Sequence, residues 1–246
     1  WATSSGSDFS SMFEGAPAFN IDIGRWDLGS ALRLTAMFKN ATAFNGSIIN
    51  WNVSSVVYMD EMFYNATAFN RAIGMWNTGH VTTMYQMFMN TTAFGANGTA
   101  SLTGWDVSNV VDATRMFKSS KFNSSISNWK FGQDAILTEM FASNTVFNQD
   151  ISSWDVSNVK AMDNMFNAAT AFATGIVGWR LDSCTTFAYM FANSNFNGSV
   201  AGWVLSTTVD ISMVGMFSAC PFFAGAGVED WNVEKVYAFT GMFNGA

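Results

Sequence analysis

The chain has 246 residues, 18 Asp plus Glu against 11 Lys plus Arg for a formal net charge of -7, and 49% hydrophobic but only 12% charged residues. Its cations are scattered singly, which argues against nucleic acid or an anionic membrane surface as partner, and no run of eighteen apolar residues is present to span a bilayer. Two cysteines do not make a disulfide scaffold, and a single histidine, His80, excludes triads and metal sites that need more.

The organisation is a tandem repeat. All ten tryptophans fall in one column, from Trp1, Trp26 and Trp51 to Trp203 and Trp231, and ten Met-Phe pairs led by Met12, Met37 and Met62 through Met242 form a second. The spacing from Trp to Met is eleven residues in nine units of ten and thirteen only from Trp203 to Met216. A period of about 25 residues predicts a solenoid in which each unit buries its apolar face only against its neighbours. Residues 1–246 then form a single repeat domain. Both ends fall at half-units without polar caps, so the chain is expected to be a segment of a longer one. Apolar patches are expected around Trp1, Phe9, Met12 and Phe13 and around Trp231, Phe239, Met242 and Phe243.

The unit Phe147 to Phe166, FNQDISSWDVSNVKAMDNMF, gives the pattern in its plainest form. Phe147, Ile151 and Trp154 point inward from a stretch too short for a helix, which predicts a short parallel strand near Asp150-Ile151-Ser152. After Trp154 the apolar positions Val156, Val159, Met162, Met165, Phe166 and Ala169 follow i, i+3, i+6, i+7 spacing, one face of a helix. Ser157 suits its N-cap, and Asn40, Asn65, Asn90 and Asn193 at the far end of sister units suit a left-handed residue. The expected fold is therefore an α/β solenoid with one short parallel strand and one short helix per repeat. Trp51, Trp76, Trp154, Met62, Met165, Phe69 and Phe147 are expected in its core. Three units depart from the pattern: Phe94 to Trp105 is four residues longer, Trp203 to Met216 carries two extra, and Cys220 to Trp231 runs through PFFAGAGVED. Insertions in repeat folds go to rim loops, so Gly95 to Gly104 is expected to project.

The segment FNQDISSWDVSNV, residues 147–159, together with the recurring Met-Phe, resembles the BspA-like family of leucine-rich-repeat surface proteins over essentially the whole chain. The resemblance implies a right-handed leucine-rich-repeat-like superhelix, export to the cell surface, and roles in adhesion or recognition. It carries no catalytic residues to transfer.

Candidate sites weigh as follows. The Trp and Met columns recur in every unit and read as core, although aromatic rings also suit sugar faces. Asn20, Asn45, Asn70, Asn123, Asn148 and Asn197 read as a ladder bonding the backbone of neighbouring turns. Among eight N-x-Ser/Thr sequons, Asn65 and Asn90 at the helix end and Asn97 in the long loop are the best glycosylation acceptors. Asp22 and Asp150, and Asp27, Asp106 and Asp155, share columns but form no dense acidic cluster, so they read as turn caps rather than glycosidase or calcium carboxylates. Cys184 and Cys220 occupy different columns and read as buried thiols. The long loop, with Asn97, Thr99, Ser101 and Thr103, is the candidate binding site. No catalytic, cofactor or metal site is expected. These features point to a non-enzymatic extracellular or cell-surface scaffold that recognises protein or glycan. The alternatives are a self-associating subunit that meets further copies or repeats end to end, and a polysaccharide-acting enzyme.

Overall fold

The computed structural model of the chain describes residues 3–96 and 100–246. Each repeat forms one coil, and successive coils stack in parallel. A ladder of single bridges runs through Asp8, Arg33, Tyr58, Thr83, Asp112 and Ile136, then through Ala161 and Thr186 to Ser212. Short strands appear where this pairing widens, β1 (Ala135–Ile136) with β2 (Val159–Ala161) and β5 (Ile211–Ser212) with β6 (Val236–Ala238), and on a second line of pairing just after the tryptophans, where β3 (Arg180–Leu181) pairs with β4 (Val204–Leu205) and Lys130 bridges Asp155. All three pairs are parallel.

The expected helix in each repeat is absent: no α-helix occurs among the described residues, and their six strands are two or three residues long. The α/β solenoid with a helix per repeat is thereby corrected. The cause is the destination of the backbone N–H groups. In a helix, Phe166 would donate to Met162, four residues back. Instead Met162, Asn164, Phe166 and Ala168 donate to Thr186, Ala188, Met190 and Ala192 of the next coil. The residues between them close tight turns, Met165 onto Met162, Asn167 onto Asn164 and Ala169 onto Phe166. The i, i+3, i+7 apolar spacing thus marks inward corners of a run of turns. The expected strand at Asp150-Ile151-Ser152 is also displaced, since Trp154 closes a turn onto Ile151 and the ladder passes through β2.

Two positions in each coil are left-handed, the residue before the Met-Phe pair and the fourth residue after that: Glu61 (φ 54°) and Asn65 (φ 55°), Gln86 (φ 53°) and Asn90 (φ 60°), Glu139 (φ 56°) and Ser143 (φ 57°). Asn40, Asn65, Asn90 and Asn193 are left-handed as their residue type suggested, ending a run of turns instead of a helix.

The core consists of aromatic stacks running the length of the molecule. The Phe of each Met-Phe pair lies on its equivalent in the next coil at 5.3–5.7 Å between ring centroids. Within a coil it stacks at 3.8–4.3 Å on the second Phe, as in Phe38 on Phe44 and Phe88 on Phe94. Trp51, Trp76, Trp154, Met62, Met165, Phe69 and Phe147 are all buried, as expected. Eight tryptophans, Trp51 through Trp231, donate Nε1–H to an Ile, Leu or Val carbonyl of the preceding coil at 2.6–3.5 Å. Among the described residues no buried side-chain nitrogen or oxygen lacks a partner. Cys184 and Cys220 are buried free thiols, and burial pushes Cys184 up to about 12.

Replacing Trp154 with Phe keeps an aromatic in the stack but removes one of two donors to the Ile126 carbonyl, which Nε1 meets at 2.7 Å and the Trp129 N–H at 3.3 Å. The expected cost is about 0.5–1.5 kcal/mol, against about 3–5 kcal/mol for Trp154→Ala, both read from urea denaturation. Far-ultraviolet circular dichroism of the native chain should lack the double minimum of α-helix.

Candidate interaction face

The bridge ladder and the turns after it form one face of the stack, which carries the tyrosines and three of the five ion pairs found among the described residues. All five tyrosines fall here, between five residues before a Met-Phe pair and two after its Met: Tyr58, Tyr64, Tyr85, Tyr189 and Tyr237. The Arg33 guanidinium lies 4.0 Å from the Tyr58 ring centroid, and Lys39 Nζ lies 5.3 Å from that of Tyr64. Lys39 pairs with Glu61 at 2.7 Å, and Arg115 Nη2 pairs with Glu139 at 2.6 Å. Lys118 reaches the other Glu139 oxygen. Gln86 Nε2 donates to the Tyr85 hydroxyl at 2.9 Å. All of these links except Gln86 to Tyr85 join coils to one another, but their partial exposure limits each ion pair to about 0–1 kcal/mol.

Titration on this face follows local contacts. Burial is the largest single influence on Glu139 and raises its pKa, yet Arg115 and Lys118 together outweigh it and leave the carboxyl below its usual range. The Asp60 carboxyl is raised, chiefly by burial and further by the charge of Asp112, against opposing bonds from Thr83 Oγ1 and the Tyr85 N–H.

Elsewhere the acidic columns behave as turn caps. Asp27, Asp106 and Asp155 each accept the N–H two residues on, from Gly29, Ser108 and Ser157. Bonds from Ser108 lower the pKa of Asp106, those from Ser152 lower Asp150, and the Ser157 hydroxyl leads the lowering of Asp155. The amide ladder is present at five of its six expected positions: Asn20, Asn45, Asn123 and Asn148 Oδ1 accept the N–H of Asn45, Asn70, Asn148 and Ala173 at 2.7–3.0 Å, and Asn70 Oδ1 accepts that of Gly95 at 3.3 Å. His80 is exposed, its Nδ1 2.7 Å from the Ser54 carbonyl.

The long loop is more tightly incorporated than expected. Leu102 is buried in the column of Ile73 and Ile126, and Gly95 is buried and donates its N–H to Asn70 Oδ1. Gly74 and Gly104 are required here, because a Cβ on Gly74 would lie 2.1 Å from the Ser101 carbonyl oxygen and one on Gly104 2.2 Å from that of Gly74. Ser101 Oγ and Thr103 Oγ1 sit 3.0 Å apart on a groove of about 400 Å³ that Ile49 and Met75 also line. Asn97 and Thr99 lie outside the described residues. Asn65 and Asn90 are half-buried, and Asn65 Nδ2, the atom a glycan would join, donates to Asn40 Oδ1 at 3.0 Å. Of the expected terminal patches, Met12, Phe239 and Phe243 are exposed, Phe13 is half-buried, and Phe9, Trp231 and Met242 are buried. Trp1 lies outside the described residues.

Among the described residues no group of three or more His, Cys, Asp and Glu side chains is placed to share a metal ion, and no helix is long and apolar enough to cross a membrane. A family model described as "Mycoplasma protein of unknown function, DUF285" matches residues 1–102, 95–203 and 192–246. The chain belongs to that family. Three successive matches along one chain bear out the tandem repeat, whereas the BspA-like leucine-rich-repeat resemblance is not what this match gives. No curated protein and no solved structure matches the chain.

The ladder face was missed in the sequence because its residues were read as the outer side of a helix. The confinement of every tyrosine to one part of the repeat was the available signal. Asp60 gives this face a testable pH signature. A carboxyl whose pKa is raised on folding stabilises the fold below its unfolded pKa, and that contribution is lost as pH rises through the folded value. Asp60→Asn keeps the oxygen that accepts from Thr83 and Tyr85 without the buried charge. It should therefore be more stable than the wild type at pH 7, with the difference fading as pH falls below the ordinary value of 3.8. Paired thermal melts across that range check this.

Proposed function

We propose that this chain is a non-enzymatic recognition scaffold displayed outside the cell or at its surface, with the ladder face as its binding surface for protein or glycan. The observation that carries this reading is a contrast between columns. The Phe and Met of the Met-Phe pair repeat in every coil, whereas the residue before them changes from Ala36 to Glu61, Gln86, Arg115, Glu139, Asn164 and Tyr189. That position is left-handed in every coil, and Gly215 and Gly241 fill it in the last two. A non-glycine side chain there costs about 1–2 kcal/mol. Ala36 and Gln86 are buried there, but the varied, mostly polar side chains of the other coils, kept at an unfavourable backbone position, support a role on the surface, since a fixed structural role would favour glycine or one repeated residue.

The non-enzymatic reading is supported by the carboxylates. Asp106, Asp150 and Asp155 are engaged by their own turns and held below the usual range, which suits ionised turn caps and makes them weak proton donors. Surface display is supported by the BspA-like resemblance of residues 147–159.

The test is binding of the labelled chain to immobilised mucin glycoprotein, to collagen and to a printed glycan array. Saturable binding to at least one is expected, weakened at least about tenfold, or ~1.4 kcal/mol, by combined Glu61→Gly, Arg115→Gly and Glu139→Gly. Circular dichroism should show the triple variant still folded. Absence of saturable binding by the wild type, or binding indifferent to the triple variant, would overturn the assignment.

A further inference from the structure

Resting on that recognition reading, we propose that Tyr189 is the platform of a carbohydrate subsite that takes one pyranose ring of a glycan. Tyr189 is left-handed at φ 56° and is the aromatic residue among the described left-handed positions. A bulky side chain is a genuine outlier in that region. The neighbouring coil shows that no side chain is needed there, because Gly215 holds the equivalent position at φ 58°. Gly215 also makes room for the ring: a Cβ on it would lie 2.3 Å from Tyr189 Cε1 and 2.5 Å from Cδ1. The tyrosine therefore lies across a glycine, braced on one side, and remains 43% exposed.

The surroundings select the ligand. Asn164 occupies the same column one coil earlier, and its N–H bonds the Ala188 carbonyl beside Tyr189 at 2.8 Å. A chain of amides runs from it: Asn193 Nδ2 donates to Asn167 Oδ1 at 3.3 Å, and Asn167 Nδ2 donates to Asn164 Oδ1 at 2.8 Å. The chain fixes the orientation of all three side chains, with Asn164 Nδ2 left as a donor at one end and Asn193 Oδ1 as an acceptor at the other. The ionisable group alongside, Asp163, already accepts from Thr186 Oγ1 and the Ala188 N–H. An aromatic face with its negative quadrupole attracts the weakly positive C–H face of a pyranose, while oriented amides match sugar hydroxyls that both donate and accept. An anion would find no cation among these groups.

The test uses the whole chain with chitotriose, cellotriose, maltotriose and sialyllactose as probes, followed by saturation-transfer NMR and titration calorimetry. The wild type is expected to bind at least one, Tyr189→Phe to retain binding, and Tyr189→Gly to weaken it at least about tenfold. Glycine at 215 and 241 in the same column indicates that the variant will fold. Should it not, Tyr189→Asn, the residue of the preceding coil, replaces it. Wild type that binds none of the probes, or binding unchanged by Tyr189→Gly, overturns the subsite. If the chain still binds mucin, collagen or arrayed glycans through Glu61, Arg115 and Glu139, the subsite alone fails and the recognition reading stands.

Discussion

Backbone amides in this chain divide their labour by parity: through the Met-Phe region of every coil that another follows, alternate N–H groups reach along the stack while those between close turns within the coil. Glu61, Phe63 and Asn65 donate to Tyr85, Met87 and Met89, while Met62, Tyr64 and Ala66 turn back on Met59, Glu61 and Phe63. Much of the rest follows. A helix keeps its amide bonds within one segment and can exist before its neighbours arrive, whereas here half the donors have no partner until the next coil is in place. The left-handed residues are what bend the chain tightly enough to alternate the donors. Their unfavourable backbone energy is offset by inter-coil bonds worth about 0.5–1.5 kcal/mol each and by the apolar burial that stacking brings.

The aromatic columns answer to the same geometry. Coils held at hydrogen-bonding distance bring equivalent side chains close enough for ring-on-ring contact, so a Phe at one position of the repeat calls for a Phe at the same position in the next. The rings in the nine contacts along the Met-Phe column are nearly parallel, as in Phe141 on Phe166 at 2° and Phe88 on Phe117 at 3°. Tryptophan adds a polar lock, because its Nε1–H satisfies a carbonyl of the coil before it that lies at the edge of the core. This is how 49% hydrophobic residues can be accommodated without a large central core: the apolar mass is distributed along the axis, a little in each coil.

Columns, core and amide ladder were legible in the sequence because each depends on recurrence at a fixed interval, which stacking enforces whatever the local backbone does. Trp154, Met165, Phe147 and Asn148 could be placed on that ground alone. The local conformation was not legible. Val159, Met162, Met165 and Phe166 fit one helical face, but three-residue spacing also arises when each closing turn brings another corner inward, and periodicity cannot tell the two apart. The Asn residues at 40, 65 and 90 pointed correctly to left-handed backbone, yet that feature serves a helix end and a tight turn equally. The non-glycine residues at the other left-handed column, such as Glu61 and Arg115, gave no such signal, since their types favour helix in isolation. The candidate face went unseen with them, and the long loop at Ser101 and Thr103 drew attention that its buried neighbour Leu102 does not support as a freely projecting element.

The irregular coils show which constraint dominates when the two compete. Trp76 reaches back 28 residues to the Ile48 carbonyl, while Trp105 reaches back 32 to Ile73 and Trp231 reaches back 31 to Val200. The extra residues change the sequence separation and leave the contact in place: Trp76 and Trp105 stack at 6.3 Å and 4°, and Trp203 and Trp231 at 5.4 Å and 9°. The Met-Phe ladder is equally undisturbed, with Phe88 donating to Met116 at 2.9 Å across the longer unit. Spacing in sequence is therefore negotiable and register in space is not. The extra residues fall between Phe94 and Leu102 in sequence, and neither the ring stack nor the cross-coil amides of the Met-Phe ladder is displaced. A repeat built this way can alter its outward residues coil by coil, because most of the bonds that hold it together use the backbone and the inward columns, and the outward ion pairs add little. The ladder face is free to carry Arg in one coil, Tyr in another and Gly in a third on the same backbone, and that freedom is what a recognition surface requires.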